Sequence, residues 1–247
     1  MHQVASDYTV AERVSTRIPK PPRFERAAIE WPWWSAALPP AHELWPRTTG
    51  VAVSDHRTSW VRRMPSSKGG VFVKTYEYTT WRSRLRDFAK RTGPLSTPRT
   101  VREFDALCWL RANRIPAPTP LAALVWRVAG FVSRTTLVTS AWPGTAASEV
   151  LPSLAAAERI DAAVAIGRFV YRLHELGFRD RNLDLRNLLL LRTAAAWQVT
   201  KIDSPRFVLR PPSRDEDALS RADWQRLAPQ LAVFGLDAVA REATSST

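Results

Sequence analysis

Between Ser153 and Gly177 the chain carries its longest regular apolar pattern, and the segments behind that pattern leave few folds open. Leu154, Ala157, Ile160, Val164, Val170 and Leu173 form a largely helical stripe. Gly177 is a natural C-terminal stop, because glycine enters the left-handed region without a Cβ penalty. After it come a charged loop, Arg179 to Asn187, an apolar run, Leu188 to Leu191, and a strand from Trp197 to Ile202 that leads into Asp203. The second half is therefore a long helix, a polar loop and a short hairpin, in that order. A charged tail begins at Pro211 and turns helical from about Asp217.

The first half reads differently. Ser59 to Arg63 and Gly70 to Tyr76 have strand character and flank a turn at Pro65 to Gly70. A basic stretch comes next, with Arg82, Arg84, Arg86, Lys90 and Arg91. Thr100 to Asn113 is helical, with Phe104, Leu107 and Cys108 on one face, and Pro116, Pro118 and Pro120 end it. Leu121 to Val128 and Phe131 to Thr139 are two further strands about a turn at Gly130. Pro19, Pro21, Pro22, Pro32, Pro39, Pro40 and Pro46 interrupt any long element before residue 50. Trp31-Pro32-Trp33-Trp34 in that stretch either packs the extension onto its own domain or inserts at a membrane interface, and residues 1–28 are expected to be poorly ordered. There is no internal repeat. The reading is an α+β chain of two lobes: an extension over residues 1–50, a β-rich N-terminal lobe over 51–140, and a small α-helical C-terminal lobe over 141–240, with a cleft between the lobes.

Composition narrows the function. The single cysteine, Cys108, excludes a disulfide framework and fits a reducing cytoplasm. Four histidines and one cysteine argue against a zinc site. No apolar run approaches the length of a membrane span, and the first residues carry no secretory pattern. A net charge of +13 and a pI of about 11.0 favour anionic partners, although an arginine-rich proteome raises the pI in the same way. No nucleic-acid motif accompanies the charge, so nucleic acid ranks last among them.

Four positions suit chemistry, each with an ordinary alternative. Lys74 shares a strand face with Phe72, opposite Val71 and Val73; a solvent-facing lysine fits the same alternation. Glu103 stands early on the following helix, where it can pair with that lysine or close a capping box, Thr100-Val101-Arg102-Glu103. The loop Asp180-Arg181-Asn182-Leu183-Asp184-Leu185-Arg186-Asn187 matches the protein-kinase pattern H-R-D-L-x-x-x-N in register, with Asp180 at the histidine, Asn182 at the catalytic aspartate and Asn187 at the metal-binding asparagine. Asp203 closes a strand where kinases carry D-F-G, here followed by Ser204-Pro205; an aspartate opening a turn before proline is the plain alternative.

Taken in order, these segments resemble the lipopolysaccharide kinase (Kdo/WaaP) family. The resemblance rests on Gly69-Gly70-Val71-Phe72-Val73-Lys74, Arg102-Glu103, Arg114 to Pro118, Leu137 to Thr139, His174 to Phe178, Asn182 to Leu190, and Ile202-Asp203, across roughly residues 50 to 210. It implies a protein-kinase-like fold and ATP-dependent phosphorylation of an inner-core sugar at the cytoplasmic side of the inner membrane, with peripheral membrane contact. Lys74 would bind the ATP phosphates near Gly69 and Gly70, Glu103 would orient it, Asn187 and Asp203 would hold Mg²⁺, and adenine would meet the backbone near Thr139 to Ala141. The basic stretch from Arg82 to Arg102 would suit an anionic glycolipid or sugar acceptor, or be an ordinary solvated face.

Three departures bear on activity. A G-x-G-x-x-G loop is absent, the D-F-G phenylalanine and glycine are missing, and Asn182 cannot take a proton as a carboxylate does. Asp184 lies two residues later, as though aspartate and asparagine had exchanged places, and is the candidate for the carboxylate facing the acceptor. The other readings are a solvated loop aspartate in a catalytically weak pseudokinase that binds nucleotide or a partner, and a kinase for another small-molecule or protein acceptor. Oligomeric state has no signature in the sequence.

Overall fold

The computed structural model describes residues 23–27, 50–65, 70–78, 80–86, 92–212 and 216–243. Gly69, Trp31, Trp33, Trp34, Lys90 and Arg91 lie outside the described residues. Arg23–Ala27 (β1), Val51–His56 (β2), Ser59–Met64 (β3) and Val71–Glu77 (β4) precede a short helix, Trp81–Arg86 (α1), and the longer Arg99–Ala112 (α2). Pro120–Val128 (β5) and Phe131–Ser140 (β6) then complete a six-stranded sheet in the order β1-β5-β6-β4-β3-β2. All its neighbours pair antiparallel. Of the proline-rich extension, β1 forms an outer edge of this sheet beside β5.

Alternation in β4 decides where its lysine goes. Val71, Val73 and Thr75 are buried, while Phe72, Lys74 and Tyr76 are half-buried on the opposite face. The buried side of the strand joins Met64, Leu121, Leu124, Trp126 and Val138 in a cluster of its own. The β5–β6 hairpin turns through Ala129 and Gly130, both at positive φ (49° and 81°), a type I′-like geometry that favours glycine.

The C-terminal lobe continues through Thr145–Ala146 (β7), Ala147–Val150 (α3) and Ala156–Glu175 (α4). After α4 come Phe178–Arg179 (β8), Leu188–Arg192 (β9), Trp197–Lys201 (β10), Val208–Leu209 (β11), Ala218–Ala232 (α5) and Asp237–Glu242 (α6). The main core runs from Phe104 and Leu110 of α2 through Ile166, Val170 and Leu173 of α4 to Leu185, Leu188 and Leu227. One core thus joins the α2 side of the first lobe to the whole of the second.

The buried face of α4 differs from the stripe expected of it. Ile160 is 47% exposed, Ala157 is exposed, and Leu154 lies before the helix on a 3₁₀ turn. The buried residues are Ala162, Ala163, Ile166, Gly167, Phe169, Val170, Leu173 and His174. The first turns project beyond the core, and small residues line the contact farther along, which an apolar-periodicity reading undervalues. Gly167 is the tightest point: a Cβ there would stand 1.9 Å from the Ala240 carbonyl oxygen of α6. At Gly177 the chain leaves α4 with φ +88°, and a Cβ would meet the Arg210 carbonyl at 2.1 Å. Backbone cannot yield as a flexible side chain can. Gly167→Ala is therefore expected to cost about 1–3 kcal/mol, the usual range for overpacking a full core, read as a lowered midpoint in urea unfolding with an unchanged slope.

Candidate functional site

The β9–β10 hairpin brings the far parts of the chain together. Leu188 pairs with Lys201, and the Ile202 amide donates to the Asn187 carbonyl at 3.0 Å. The polar loop therefore enters the hairpin beside the point where Asp203 leaves it. Asp203 has φ +59°, a left-handed conformation uncommon for aspartate and one that turns the chain sharply there.

Four charged groups meet at this corner as a closed ring. Lys74 Nζ from β4 donates to Glu103 Oε2 of α2 at 2.8 Å and to Asp203 Oδ1 at 2.5 Å. Arg99, one turn before Glu103 on α2, donates through Nε to Glu103 Oε1 at 3.1 Å. Its Nη2 reaches Asp203 Oδ1 at 3.0 Å and Oδ2 at 3.3 Å. Lys74, Glu103, Arg99 and Asp203 thus alternate in sign around the ring. The Tyr76 ring underlies both cations, 4.9 Å from the Arg99 guanidinium and 5.5 Å from the Lys74 ammonium, and its hydroxyl donates to Glu103 at 3.4 Å.

Burial and pairing oppose each other in this ring. Burial alone would lower the Lys74 pKa, but Glu103, Tyr76 and Asp203 hold it above its ordinary value. Burial would raise Asp203; Lys74 and Arg99 outweigh it and hold the carboxyl well below the usual range. Burial pushes Glu103 up, with Lys74 and Arg99 opposing. Glu103 makes no capping bond: α2 starts at Arg99 behind Pro98, and the Thr100 hydroxyl is buried against that of Thr135.

The loop supplies the next layer. Asn182 Nδ2 donates to the Asp203 carbonyl at 2.8 Å and to its Oδ2 at 3.3 Å. Asn187 Nδ2 donates to the Asn182 carbonyl at 3.3 Å, so its amide oxygen remains available as an acceptor. Asp180 is 1% exposed, with Oδ2 3.3 Å from the fully buried Lys201 Nζ. Burial pushes the Asp180 carboxyl up and Lys201 opposes it. Lys201 also donates to the carbonyls of Ile202 and Asp203. Asp180 therefore acts on the site through Lys201, which grips the backbone on which Asp203 sits.

Asp184 stands outside the ring. Its carboxylate caps the 3₁₀ turn Leu185–Asn187, accepts from the Arg186 amide, and takes both arms of the Arg186 guanidinium at 3.0 Å, with Arg226 at 3.8 Å. The Arg186 hydrogen bonds hold its pKa below the ordinary value. Gly70 has φ +94°, and its carbonyl accepts from the Ala141 amide at 3.0 Å, so that N–H of the expected adenine-binding stretch is already engaged.

Several residues here were not singled out from the sequence. Arg99 was visible only as a basic residue four before Glu103. Lys201, two before Asp203, falls inside the strand expected from Trp197 to Ile202 and carries no motif of its own. Asp223 of α5 carried no signal, yet it is buried and accepts from the amides of Asp180 at 3.0 Å and Arg181 at 2.7 Å, with His174 Nε2 at 3.2 Å. Buried Arg179 binds the His174 carbonyl at 2.6 Å and Asp217, the α5 N-cap, at 3.1 Å. Together they fix the start of the loop to α4 and α5. Among the described residues no cluster of three or more His, Cys, Asp or Glu side chains is placed to hold a metal by itself.

Comparison with known proteins gives one family and one fold. The model of the lipopolysaccharide kinase (Kdo/WaaP) family matches residues 44–231. No curated protein matches the sequence. Among solved structures the chain is similar to one described as WaaP in complex with acyl carrier protein. The TM-score is 0.61 at 18% identity, covering 89% of this chain and 88% of that one. At that identity the likeness shows the fold, which is protein-kinase-like.

The buried Asp180–Lys201 pair yields a direct test. Removing one charge of a buried pair strands the other, which costs about 3–5 kcal/mol, whereas an apolar pair of similar volume is often tolerated. Asp180→Asn is expected to lower unfolding free energy by that order, and the double variant Asp180→Leu/Lys201→Met to recover most of it. Denaturant titration of the two single variants and the double variant checks the coupling.

Proposed function

Because the chain belongs to the lipopolysaccharide kinase (Kdo/WaaP) family, we propose that it moves the terminal phosphoryl group of ATP, with Mg²⁺, to a hydroxyl of a lipopolysaccharide core sugar, Kdo or heptose, or of a related anionic glycolipid. The observation that carries this reading is the Lys74 ammonium of the first lobe, which donates to Glu103 of the same lobe at 2.8 Å and to Asp203 of the second at 2.5 Å. A strand lysine, a helix glutamate and a post-strand aspartate in contact are the parts a kinase needs to hold a nucleotide's phosphates.

The residues fit a magnesium nucleotide. Mg²⁺ is commonly bound by one or two carboxylates, with phosphates and water completing its shell. Asp203 supplies an ionised carboxylate, and Asn187, whose main chain pairs with Ile202 next to Asp203, an amide oxygen. Lys74 takes phosphate oxygens, and Glu103 keeps it aimed. Mg-ATP brings the transferable group and neutralises charge on it. Asn182 positions Asp203, and the Asp180–Lys201 pair fixes the same backbone from below.

In the transfer, the acceptor oxygen bonds to the γ-phosphorus while the bond to the β–γ bridging oxygen breaks, and the hydroxyl proton leaves to a carboxylate. Asp184 is the candidate for it. It stays ionised at neutral pH, and its partner Arg186 has a side chain 74% exposed, so the pair can open toward solvent for an acceptor. The net charge of +13 suits an anionic acceptor. No described helix is long and apolar enough to cross a membrane, and the proposed setting is the cytoplasm, with peripheral contact at the inner membrane face.

A second reading is nucleotide binding without transfer. It is favoured by Asn182, whose amide is committed to Asp203 at the position where kinases hold the proton acceptor. Mg-dependent ATP turnover, measured with and without lipopolysaccharide inner-core acceptor, separates the two. Acceptor-dependent turnover is expected. Lys74→Ala should abolish it together with nucleotide binding. Asp184→Asn should lower it by about 10²-fold or more, with nucleotide affinity unchanged. Nucleotide binding without turnover would favour the second reading, and neither binding nor turnover in folded protein would overturn both.

A further inference from the structure

Arg99 has no place in the kinase sequence pattern, yet it makes more contacts to the site carboxylates than Lys74 does. We infer that Arg99 is a phosphate-binding residue that takes over, from the helix side of the cleft, the cover a glycine-rich loop gives elsewhere. The inference rests on the nucleotide reading above and deepens it.

The charges of the ring come first. Lys74 and Arg99 balance Glu103 and Asp203. A cation bound to Asp203 places two further positive charges beside the Arg99 guanidinium, and like charges at such distances repel. The Arg99–Asp203 contact is then the one to open, because Arg99 holds Glu103 through a different nitrogen, Nε, and can give up the Nη2 contact without losing that hold.

Arg99 is built to move only part of itself. Its Nε–Glu103 bond lies within one helical turn and survives any shift between the lobes. Tyr76 supports the guanidinium plane from below. The contact through Nη2 joins positions 104 apart in sequence. Among the described residues Nη1 makes no hydrogen bond, so it has donors to offer. When Nη2 leaves Asp203, the fork keeps its place at the corner of Lys74 and Asp203, where the phosphates of a bound nucleotide must lie. A planar fork grips phosphate through two parallel hydrogen bonds, which an ammonium cannot do.

The need for such a residue is visible in β4. The connection before it carries only the pair Gly69-Gly70 in place of G-x-G-x-x-G, and so offers fewer glycine N–H groups to phosphate. More of the phosphate charge then falls to side chains. Lys74 and Arg99 are the two cations that pair with the Asp203 carboxylate among the described residues.

Equilibrium binding of a non-hydrolysable ATP analogue with Mg²⁺, and of adenosine, tests this by intrinsic tryptophan fluorescence. Wild type is compared with Arg99→Ala, Arg99→Lys and Arg221→Ala, the last removing an exposed arginine of α5 and the same unit of charge. Arg99→Ala should weaken the analogue at least tenfold and leave adenosine unchanged, which also shows that the variant is folded. Arg99→Lys should recover part of the loss, and Arg221→Ala should match wild type. Analogue binding by Arg99→Ala as tight as wild type, or tighter, overturns the inference and makes Arg99 a shield over Asp203. Equal weakening of analogue and adenosine overturns it in favour of a structural role. Wild type that binds neither ligand sinks the nucleotide reading itself, and the role of Arg99 falls with it.

Discussion

The ring of Lys74, Glu103, Arg99 and Asp203 is the interaction on which the rest of the molecule turns, because it is made from three separate parts of the chain. A sheet strand, a helix and the exit of a hairpin must all be in register for four charged groups to alternate within 3.1 Å contacts. Such a ring is a poor way to gain stability. Desolvating four charges costs several kcal/mol per ion before pairing returns any of it, and apolar side chains of equal volume would often serve the fold better. Its persistence here makes sense as stored electrostatics: a pre-aimed lysine and a strongly acidic carboxyl held for a ligand that rearranges them.

Beneath the ring, the second lobe supports it with further buried charge. Lys201 and Asp180 hold the backbone at Asp203, Asp223 holds the amides at Asp180 and Arg181, and Arg179 ties the end of α4 to the α5 cap. Each link acts on main chain rather than on a ligand. That explains how a loop with two positive-φ residues, Arg181 and Asp203, keeps one shape: strained backbone persists where its surroundings over-determine it. The tight α4–α6 crossing at Gly167 serves the same end by fixing the helix that delivers the loop.

How much of this could be read from the sequence depends on the range of each interaction. Alternation in β4 set the face of Lys74, and the order of helix, strands, helix, loop and hairpin set the two lobes, because both are local patterns. Glu103 was ambiguous for a local reason too: Thr100 to Glu103 spells a capping box, but the N-cap is Pro98, two residues earlier, and Thr100 turns inward to Thr135. Arg99 and Asp223 were invisible as site residues because their partners lie 104 and 43 positions away, and no period or motif records such a distance. The phase of α4 escaped because alanine and glycine, not the large apolar residues, mark where a helix is approached most closely.

The exchange of aspartate and asparagine in the loop redistributes charge rather than removing it. A carboxylate at position 182 would stand where the Asn182 amide now lies, 3.3 Å from Asp203 Oδ2, and would repel it. The amide instead donates to that oxygen and to the carbonyl behind it. The displaced carboxylate, Asp184, is met by Arg186 and Arg226. The negative charge that would have crowded Asp203 is thus paired elsewhere, and the corner is left with one fewer anion to attract a cation. On the proposed reading the protein alone would hold metal more weakly, and the phosphates of the nucleotide would supply more of the charge. On the proposed reading such a corner would take up metal and nucleotide together, with Arg99 leaving Asp203 as the ligand's charges replace it.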